Sequence, residues 1–153
     1  MISPWGMLLL IQRIYDRRDK MTTYNIILKE TKIPNFYEEA IKEYKKRLGK
    51  YCNLQITQIK DLDALESLLQ GFYVIEVYTK GSAIDSVELS EKIQNLATDG
   101  HSRVAFLINL KYEKAQESIR LTSIDLNDEL SLVALLEQVY RSYRILHGEP
   151  YHK

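Results

Sequence analysis

The sequence has little cysteine and no excess of either charge. Its one cysteine, Cys52, has no partner for an internal disulfide, and no cysteine–histidine cluster shows the spacing of a zinc site. Lysine plus arginine and aspartate plus glutamate are equal, at 21 each, so no overall positive field would draw the chain to nucleic acid. We therefore expect a reducing, cytoplasmic environment and no metal, and we expect any RNA binding to depend on a local patch.

Long apolar runs are also missing. The run Met7–Ile11 is far shorter than the roughly 20 residues that span a membrane. Basic residues follow this run, whereas a secretory signal carries them in front. Because Met21 directly precedes a β-prone segment, we predict that residues 1–20 are a dispensable extension or a short amphipathic helix, and that residues 21–153 are the functional domain. We expect no membrane partner, with a surface anchor through residues 7–14 as the alternative.

What the sequence does contain is an alternation of strand and helix patterns. Its 153 residues, 45% of them hydrophobic, are enough for one domain with a core. Strands that alternate with helices imply right-handed crossovers, and therefore an α/β fold with a mostly parallel sheet and helices on both faces. The most apolar strand, Arg103–Ile108, is expected at the centre of the sheet. The predicted strands are 24–28, 54–59, 72–78, 103–108 and 119–126, the predicted helices are 36–48, 61–69, 86–96 and 128–147, and 79–82 is a predicted loop. Asp85 or Ser86 is expected to cap the helix at 86–96.

The last predicted helix has an unusually wide apolar face. Leucine, valine and tyrosine residues recur over five turns, and Gly148 and Pro150 end the pattern. In a small domain such a face predicts burial on more than one side. We therefore expect a partner subunit, most simply a twofold homodimer.

The eighteen residues that close the chain, Leu136–Lys153, resemble the closing signature of the RlmH family of SPOUT methyltransferases. Phe36–Tyr51 resembles the first helix of that family, and Gly81 falls where its members carry a glycine after a central strand. The resemblance runs from Tyr24 to Lys153. It implies a C-terminal trefoil knot, which is a rare exception to the rule against threading. It also implies a homodimer that binds S-adenosylmethionine in the knot and methylates N3 of a pseudouridine in 23S rRNA on the assembled ribosome.

The resemblance further implies roles for particular residues. A proton must leave N3 when that nitrogen is methylated, so the reaction needs a base or a charge stabiliser. Considered alone, Arg141 and Arg144 would more often form surface ion pairs, and a terminal His-Lys would often be a frayed end. With the resemblance, the catalytic candidates are His152, Tyr151 and Arg141, the RNA-binding candidates are Lys153 and Arg144, and the cofactor-binding candidates are Val77, Gly81, Ile108, Asn109, Ile119, Leu121, Ile124 and Leu126.

The sequence departs from the family most clearly in the loop after the central strand. Family members carry Gly-Gly-x-x-Gly there, because glycine accepts a positive φ and lets the backbone approach the cofactor. This chain has Asn109–Glu113 instead, and its side chains are expected to occupy space that the cofactor needs. Ahead of the last helix, a Pro-His pair and an arginine are replaced by Asn127–Asp128 and Leu132. A stretch that follows Lys60 in the family is also missing.

Three functions therefore remain open. The chain could be a divergent methyltransferase that binds S-adenosylmethionine through Val77, Gly81 and the backbone of residues 119–126. It could instead be a degenerate paralogue that keeps the knotted dimer and binds RNA or the ribosome without methyl transfer. The lost glycine loop favours the second interpretation, and the family resemblance favours the first. The third is a plain RNA-binding module, whose patch would be Lys45, Lys46, Arg47, Lys50, Arg141, Arg144 and Lys153.

Overall fold

A parallel β-sheet forms the centre of the chain. The computed structural model describes residues 2–19 and 21–151, with the side chains of residues 12–19 left out. The five strands of this part are ordered β2-β1-β4-β3-β5, and all neighbours are parallel. The strands are β1 (Thr23–Lys29), β2 (Asn53–Ile59), β3 (Tyr73–Ala83), β4 (Arg103–Ile108) and β5 (Glu117–Arg120). The helices are α1 (Pro4–Asp19), α2 (Asn35–Leu48), α3 (Ala64–Leu68), α4 (Ser86–Thr98) and α5 (Asp128–Leu146).

The central position predicted for Arg103–Ile108 is confirmed. This segment is β4, the third of five strands, and it pairs with β1 on one side and β3 on the other. Val104–Ile108 is buried throughout, as a strand covered on both faces should be. The predicted α/β class, with a parallel sheet flanked by helices, is therefore also confirmed.

The two faces of the sheet are covered unequally. Side chains such as Ile26 and Phe106 pack with α2, α4 and α5, while Ile27 and Leu107 pack on the opposite face with α3 and the segment after β4. Helix α5 lies between α2 and α4. The apolar face of α5 is thus used within the chain, so its width does not by itself require the partner subunit that the sequence led us to expect.

Strand β3 is longer than the sequence indicated. The predicted loop at residues 79–82 belongs to β3, which continues to Ala83 through an irregularity between Val77 and Ser82 in its pairing with β5. Gly81 makes this possible, because a Cβ on that residue would lie 2.4 Å from the carbonyl oxygen of Ile119. Gly81 lies among the polar residues Thr79, Lys80 and Ser82, so the segment looks like a loop in the sequence. Here the glycine instead allows two backbones to approach closely.

Two other elements are shorter than predicted. Helix α3 begins at Ala64 because residues 61–63 form a turn, in which Asp61 Oδ1 accepts the Asp63 N–H at 3.4 Å. Strand β5 ends at Arg120, since its partner strand ends at Ala83, opposite Arg120. The predicted strand residues 121–126 are consequently free to line a cavity. The predicted cap of α4 is confirmed by a capping box between Asp85 and Glu88.

The N-terminal segment forms a helix. In α1, Trp5 is 77% exposed and Leu9 is 66% exposed. None of the helices described is long and apolar enough to cross a bilayer. Whether residues 1–20 are dispensable stays a prediction.

Candidate functional site

A cavity of about 240 Å³ lies at the carboxyl end of β4, beside Val77–Thr79 of β3, where the pairing of β3 with β4 ends. The segment that follows β5 and the N-terminal part of α5 complete its wall. Ligands of open α/β sheets bind outside the carboxyl ends of the strands, so this is the expected position for a site. The lining residues are Val77, Tyr78, Thr79, Asn109, Leu121, Thr122, Ile124, Asp125, Leu126 and Ser131.

The structure brings together five of the eight cofactor-binding candidates. These five residues line the cavity, whereas Ile108 and Ile119 are buried in the core and Gly81 packs against the backbone of β5. The last three hold the walls in place without facing the cavity. Sequence analysis did not single out Thr79, Asp125 and Ser131, although the position of Thr79 after an apolar strand was a usable signal. The five that line the cavity are Val77, Asn109, Leu121, Ile124 and Leu126.

Asn109 occupies the first position of the loop from which glycine is missing. Its φ of 51° lies in the left-handed region, and no other described residue except glycine has a positive φ. The Asn109 N–H donates to the Val77 carbonyl at 3.0 Å, and its Nδ2 donates to Asp128 Oδ1 at 2.8 Å. Asparagine is one of the few residues that tolerate this conformation. Asn109 therefore gives the backbone the turn that a glycine would otherwise supply.

The large side chains of the same loop turn away from the cavity. Leu110 is buried on the opposite face of the sheet, in the cluster that contains Leu65 and Leu107. The Tyr112 N–H donates to Glu76 Oε2 at 2.8 Å, and the Tyr112 hydroxyl donates to a carboxylate on α3. The expectation that the side chains of residues 109–113 would occupy the cofactor's space is therefore wrong for Leu110 and Tyr112. The cavity stays open between the strands and α5.

The lining has the chemistry of a small-molecule site. Val77, Leu121 and Leu126 present apolar surface, and Asp125 and Ser131 add a carboxylate and a hydroxyl. The fit to a nucleoside that carries a positive charge is good, because apolar walls can pack a base and a carboxylate can balance the charge. Among the residues described, no group of three or more histidine, cysteine or acidic side chains is arranged to hold a metal ion.

The C-terminal tail packs against the second half of α5. Arg141 lies 4.3 Å from the centre of the Tyr151 ring, and it donates to Glu137 Oε1 at 2.7 Å. The Tyr151 hydroxyl also donates to Glu137. Burial and then the hydrogen bond to Glu137 raise the pKa of Tyr151, so its hydroxyl is protonated at neutral pH.

Arg144 fastens the tail to the same helix. It donates to the Pro150 carbonyl at 2.7 Å and pairs with Glu149. Glu149 also accepts the Tyr51 hydroxyl at 2.9 Å. In this arrangement Arg144 is part of an internal ion pair. The remaining tail candidates, His152 and Lys153, lie outside the described residues.

The cavity and the tail are not brought together within one chain. Ser131, which lines the cavity, and Arg141 are ten residues apart on α5, so about 15 Å of helix separates them. The helix starts beside Asn109 at the carboxyl edge of the sheet, and Tyr143 near its other end reaches the first residues of β1, where its hydroxyl is 2.8 Å from that of Tyr24. Two of the catalytic candidates, Arg141 and Tyr151, thus lie towards the amino edge of the sheet.

The basic patch of the third hypothesis also lies away from the cavity. Lys45, Lys46 and Lys50 are exposed at the end of α2, which leads back to the amino edge of the sheet. Arg47 pairs with Glu43 at 2.9 Å, and its guanidinium lies near the rings of two tyrosines. The positive charge of Arg47 is therefore already engaged in an ion pair and in cation–π contacts.

Comparison with known proteins identifies the class. The family model described as "Predicted SPOUT methyltransferase" matches residues 22–152. The chain belongs to the SPOUT methyltransferases.

Individual relatives define the family within that class. Ribosomal RNA large subunit methyltransferase H 1 of Thermoanaerobacter sp. (strain X514) is 35% identical over 131 residues, which cover 85% of this chain and 98% of the relative. Putative ribosomal RNA large subunit methyltransferase H of Methanococcus vannielii is 34% identical over 145 residues, which cover 77% of this chain and 91% of the relative. The chain is a member of the RlmH family, as its closing residues indicated.

The same alignments bear on the length of the chain. The Thermoanaerobacter alignment is 131 residues long and includes 85% of this chain, so nearly every aligned position holds a residue of this chain. The Methanococcus alignment is longer, at 145 residues, but includes only 77% of this chain. The Methanococcus alignment therefore contains gaps on the side of this chain. Among solved structures, a TrmH/SpoU tRNA modifying enzyme from A. aeolicus has a TM-score of 0.43 and 13% identity, covering 95% of this chain and 90% of that one.

Proposed function

We propose that this chain is an S-adenosylmethionine-dependent methyltransferase that acts on N3 of a pseudouridine in 23S rRNA. The relatives named as ribosomal RNA large subunit methyltransferases support the substrate class. The observation that carries the activity is the left-handed Asn109 beside an open cavity. With that residue in place, the absence of glycine from the loop is not a reason to discard methyl transfer.

Different cavity residues would contact different parts of S-adenosylmethionine. Val77, Leu121 and Leu126 would pack against the nucleoside, and Asp125 would balance the charge of the sulfonium. When bound, the cofactor supplies an electrophilic methyl group. Asn109 fixes the loop through its bonds to β3 and α5, so that the opening is held ready before any ligand enters.

We assign the removal of the N3 proton to residues of the C-terminal tail. The raised pKa of Tyr151 makes its hydroxyl a hydrogen-bond donor and not a base at neutral pH. Histidine is the side chain whose ordinary pKa lies near neutrality, so His152 is the proposed proton acceptor. Arg141, held in place by Glu137, would stabilise negative charge on the uracil ring as the proton leaves.

The separation of cavity and tail leads us to propose a homodimer. One chain carries both parts but holds them at different ends of α5, so a second copy is needed to place a tail beside a cavity. The outer side of α5 offers Leu130 and Ile145, which are 38% and 37% exposed, as apolar contacts. A trefoil knot around the cavity and a cytoplasmic location belong to the same proposal, and the buried thiol of Cys52 agrees with a reducing environment.

Calorimetric titration of the full chain with S-adenosylmethionine or S-adenosylhomocysteine tests this function. We expect micromolar binding, and we expect it to be lost in Thr79→Trp, which fills the cavity from a half-exposed position. A chain that binds neither compound at millimolar concentration would be the degenerate paralogue. The basic residues at the end of α2 would then be the first place to look for RNA contact.

A further inference from the structure

A second cavity, of about 500 Å³, adjoins the first at the carboxyl edge of the sheet. Ile59 and Leu110, both nearly buried, are among its lining residues. Lys29, Lys60 and Lys111 also line it. We refer to this cavity, defined by its three lysines, as the lysine cleft.

The three lysines form a row because of the strand order. Lys60 follows β2, Lys29 ends β1 and Lys111 follows β4, and these strands are consecutive neighbours in the sheet. Neighbouring strands are about 4.8 Å apart, so the row spans roughly 10 Å of the edge. The next strand is β3, whose residues Val77–Thr79 line the proposed cofactor cavity. The row therefore leads towards that cavity.

Two residues connect the lysine cleft to the proposed cofactor cavity. Asn109 lines both. Lys111 lines the lysine cleft, while its Nζ lies 3.8 Å from the centre of the ring of Tyr78, which lines the other cavity. Tyr78 and then Glu76 raise the pKa of Lys111, so this side chain stays charged. The two cavities are parts of one continuous surface.

The charges in the lysine cleft are available to a ligand. Lys60 Nζ is 3.9 Å from Glu30 Oε2, and Lys111 Nζ is 3.8 Å from Glu76 Oε1. The side chains of Lys60 and Lys111 are 84% and 69% exposed. The Lys60–Glu30 pair is long and exposed on both sides, so it is worth little. Glu76 is only 11% exposed, but its distance from Lys111 Nζ is beyond hydrogen-bond reach and its Oε2 already accepts the Tyr112 N–H. One acidic residue, Asp61, faces three ammonium groups in the lining.

We propose that the lysine cleft binds consecutive phosphates of the rRNA strand that carries the target nucleotide, and so directs the target base across Asn109 into the cofactor cavity. The inference rests on the methyltransferase function proposed above. A row of separated ammonium groups fits a chain of phosphates better than a single small anion, which would need donors that converge on one point.

The test compares two triple variants of the full chain with equal loss of charge. The first is Lys29→Gln, Lys60→Gln and Lys111→Gln. The control is Lys45→Gln, Lys46→Gln and Lys50→Gln, at the exposed end of α2. Binding of assembled ribosomes and of a transcribed 23S rRNA fragment is measured over a series of salt concentrations, and S-adenosylhomocysteine is titrated in parallel.

We expect the lysine-cleft variant to lose at least about tenfold in RNA affinity at low salt, and the slope of log affinity against log salt to fall by about 2 for a single strand. Its affinity for S-adenosylhomocysteine should not change, since no lysine lines the cofactor cavity. The control variant should keep the wild-type salt slope.

Several outcomes would overturn the inference. Equal salt slopes for the lysine-cleft variant and the wild type would do so, and so would a larger loss in the control. Inorganic phosphate that saturates the lysine cleft, while the variant binds ribosomes normally, would identify a small-anion site instead. If S-adenosylhomocysteine binds in all these cases, the proposed function survives without the cleft. A wild-type chain that binds neither RNA nor S-adenosylhomocysteine would remove both proposals.

Discussion

The two ends of α5 differ in how their polar groups are used. At its start, a cavity is open beside Asn109, and the hydroxyl of Ser131 and the carboxylate of Asp125 line it. At its end, Arg141 and Arg144 are each paired with a carboxylate of the same chain, and the tail lies on the helix. The start of α5 can therefore accept a ligand, whereas the polar groups at its end are already bonded within the chain.

This difference is the basis for proposing that a second subunit completes the site. Ser131, which lines the cavity, and Arg141, which contacts the tail residue Tyr151, are about 15 Å apart along α5. We infer that the cavity of one subunit is completed by the tail of another, as in the proposed homodimer, because α5 keeps the two parts of one chain apart. The following predictions test that conclusion, starting with the largest effect.

Mixed dimers should show whether a tail acts on the cavity of its partner. Thr79→Trp blocks the cavity, and a Tyr151→Ala, His152→Ala double variant removes the tail groups. Each variant alone should lose at least about 100-fold in methylation of ribosomes, because each lacks one half of the site. Co-expression of the two should restore about a quarter of the wild-type activity, since half of the dimers would be mixed and each would contain one intact site.

The control for the mixed dimers is co-expression of wild-type chain with a chain that carries all three substitutions. Activity that stays at background in the mixed preparation, although both variants are folded and dimeric, would mean that each tail serves its own subunit. Tritium transfer from labelled S-adenosylmethionine to ribosomes measures the outcome.

Gly81→Ala should destabilise the cavity end of the molecule strongly. The new Cβ would meet the backbone of Ile119 at 2.4 Å, and backbone in a paired strand cannot move aside cheaply. We expect the free energy of unfolding in urea to fall by roughly 2–4 kcal/mol. Gly100→Ala is the contrasting control, because its φ of 88° is unfavourable to alanine but nothing lies within 4 Å, whereas Gly81 has no positive φ and meets only the close approach of Ile119. The control should cost only about 1 kcal/mol, for its conformation alone. A loss for Gly81→Ala no larger than that would show that the close approach of Ile119 is not what requires Gly81.

Substitutions of Asn109 should have the smallest effects. Asn109→Gly removes a hydrogen bond to Asp128 but suits the positive φ, so we expect stability within about 1 kcal/mol of wild type. Asn109→Val should cost about 2 kcal/mol, because a β-branched residue is strained in this conformation. In calorimetry, the glycine variant should bind S-adenosylhomocysteine as the wild type does and the valine variant more weakly. The reverse order would mean that the Asn109 side chain itself contacts the ligand.

The sequence predicted the elements well where one local pattern dominated. The central strand Arg103–Ile108 and the capped start of α4 were found correctly, because a continuous apolar run and a capping residue are local signals. The extension of β3 to Ala83 and the early end of β5 were missed. Both depend on how two strands meet at Gly81 and Ile119, residues 38 positions apart in the chain.

The candidate site was likewise predicted where residue type was sufficient and missed where tertiary contacts decide. Val77, Asn109 and Leu121 were selected through the family resemblance, and they do line one cavity. The direction of the side chains after β4 could not be read from the sequence, because Leu110 and Tyr112 are equally suited to fill a pocket or to join a core. Packing against α3 and a hydrogen bond to Glu76 decided between these outcomes.

What the sequence determined by itself is the family, the parallel α/β architecture and the identity of the tail residues, since each of these depends on residue type and spacing along the chain. Only the tertiary structure decided that the cofactor-side cavity is open and that three lysines stand in a row beside it. It also decided that α5 holds the cavity and the tail apart. These features depend on which strands are neighbours and on which side each side chain leaves the backbone, and both are fixed by contacts between residues far apart in sequence.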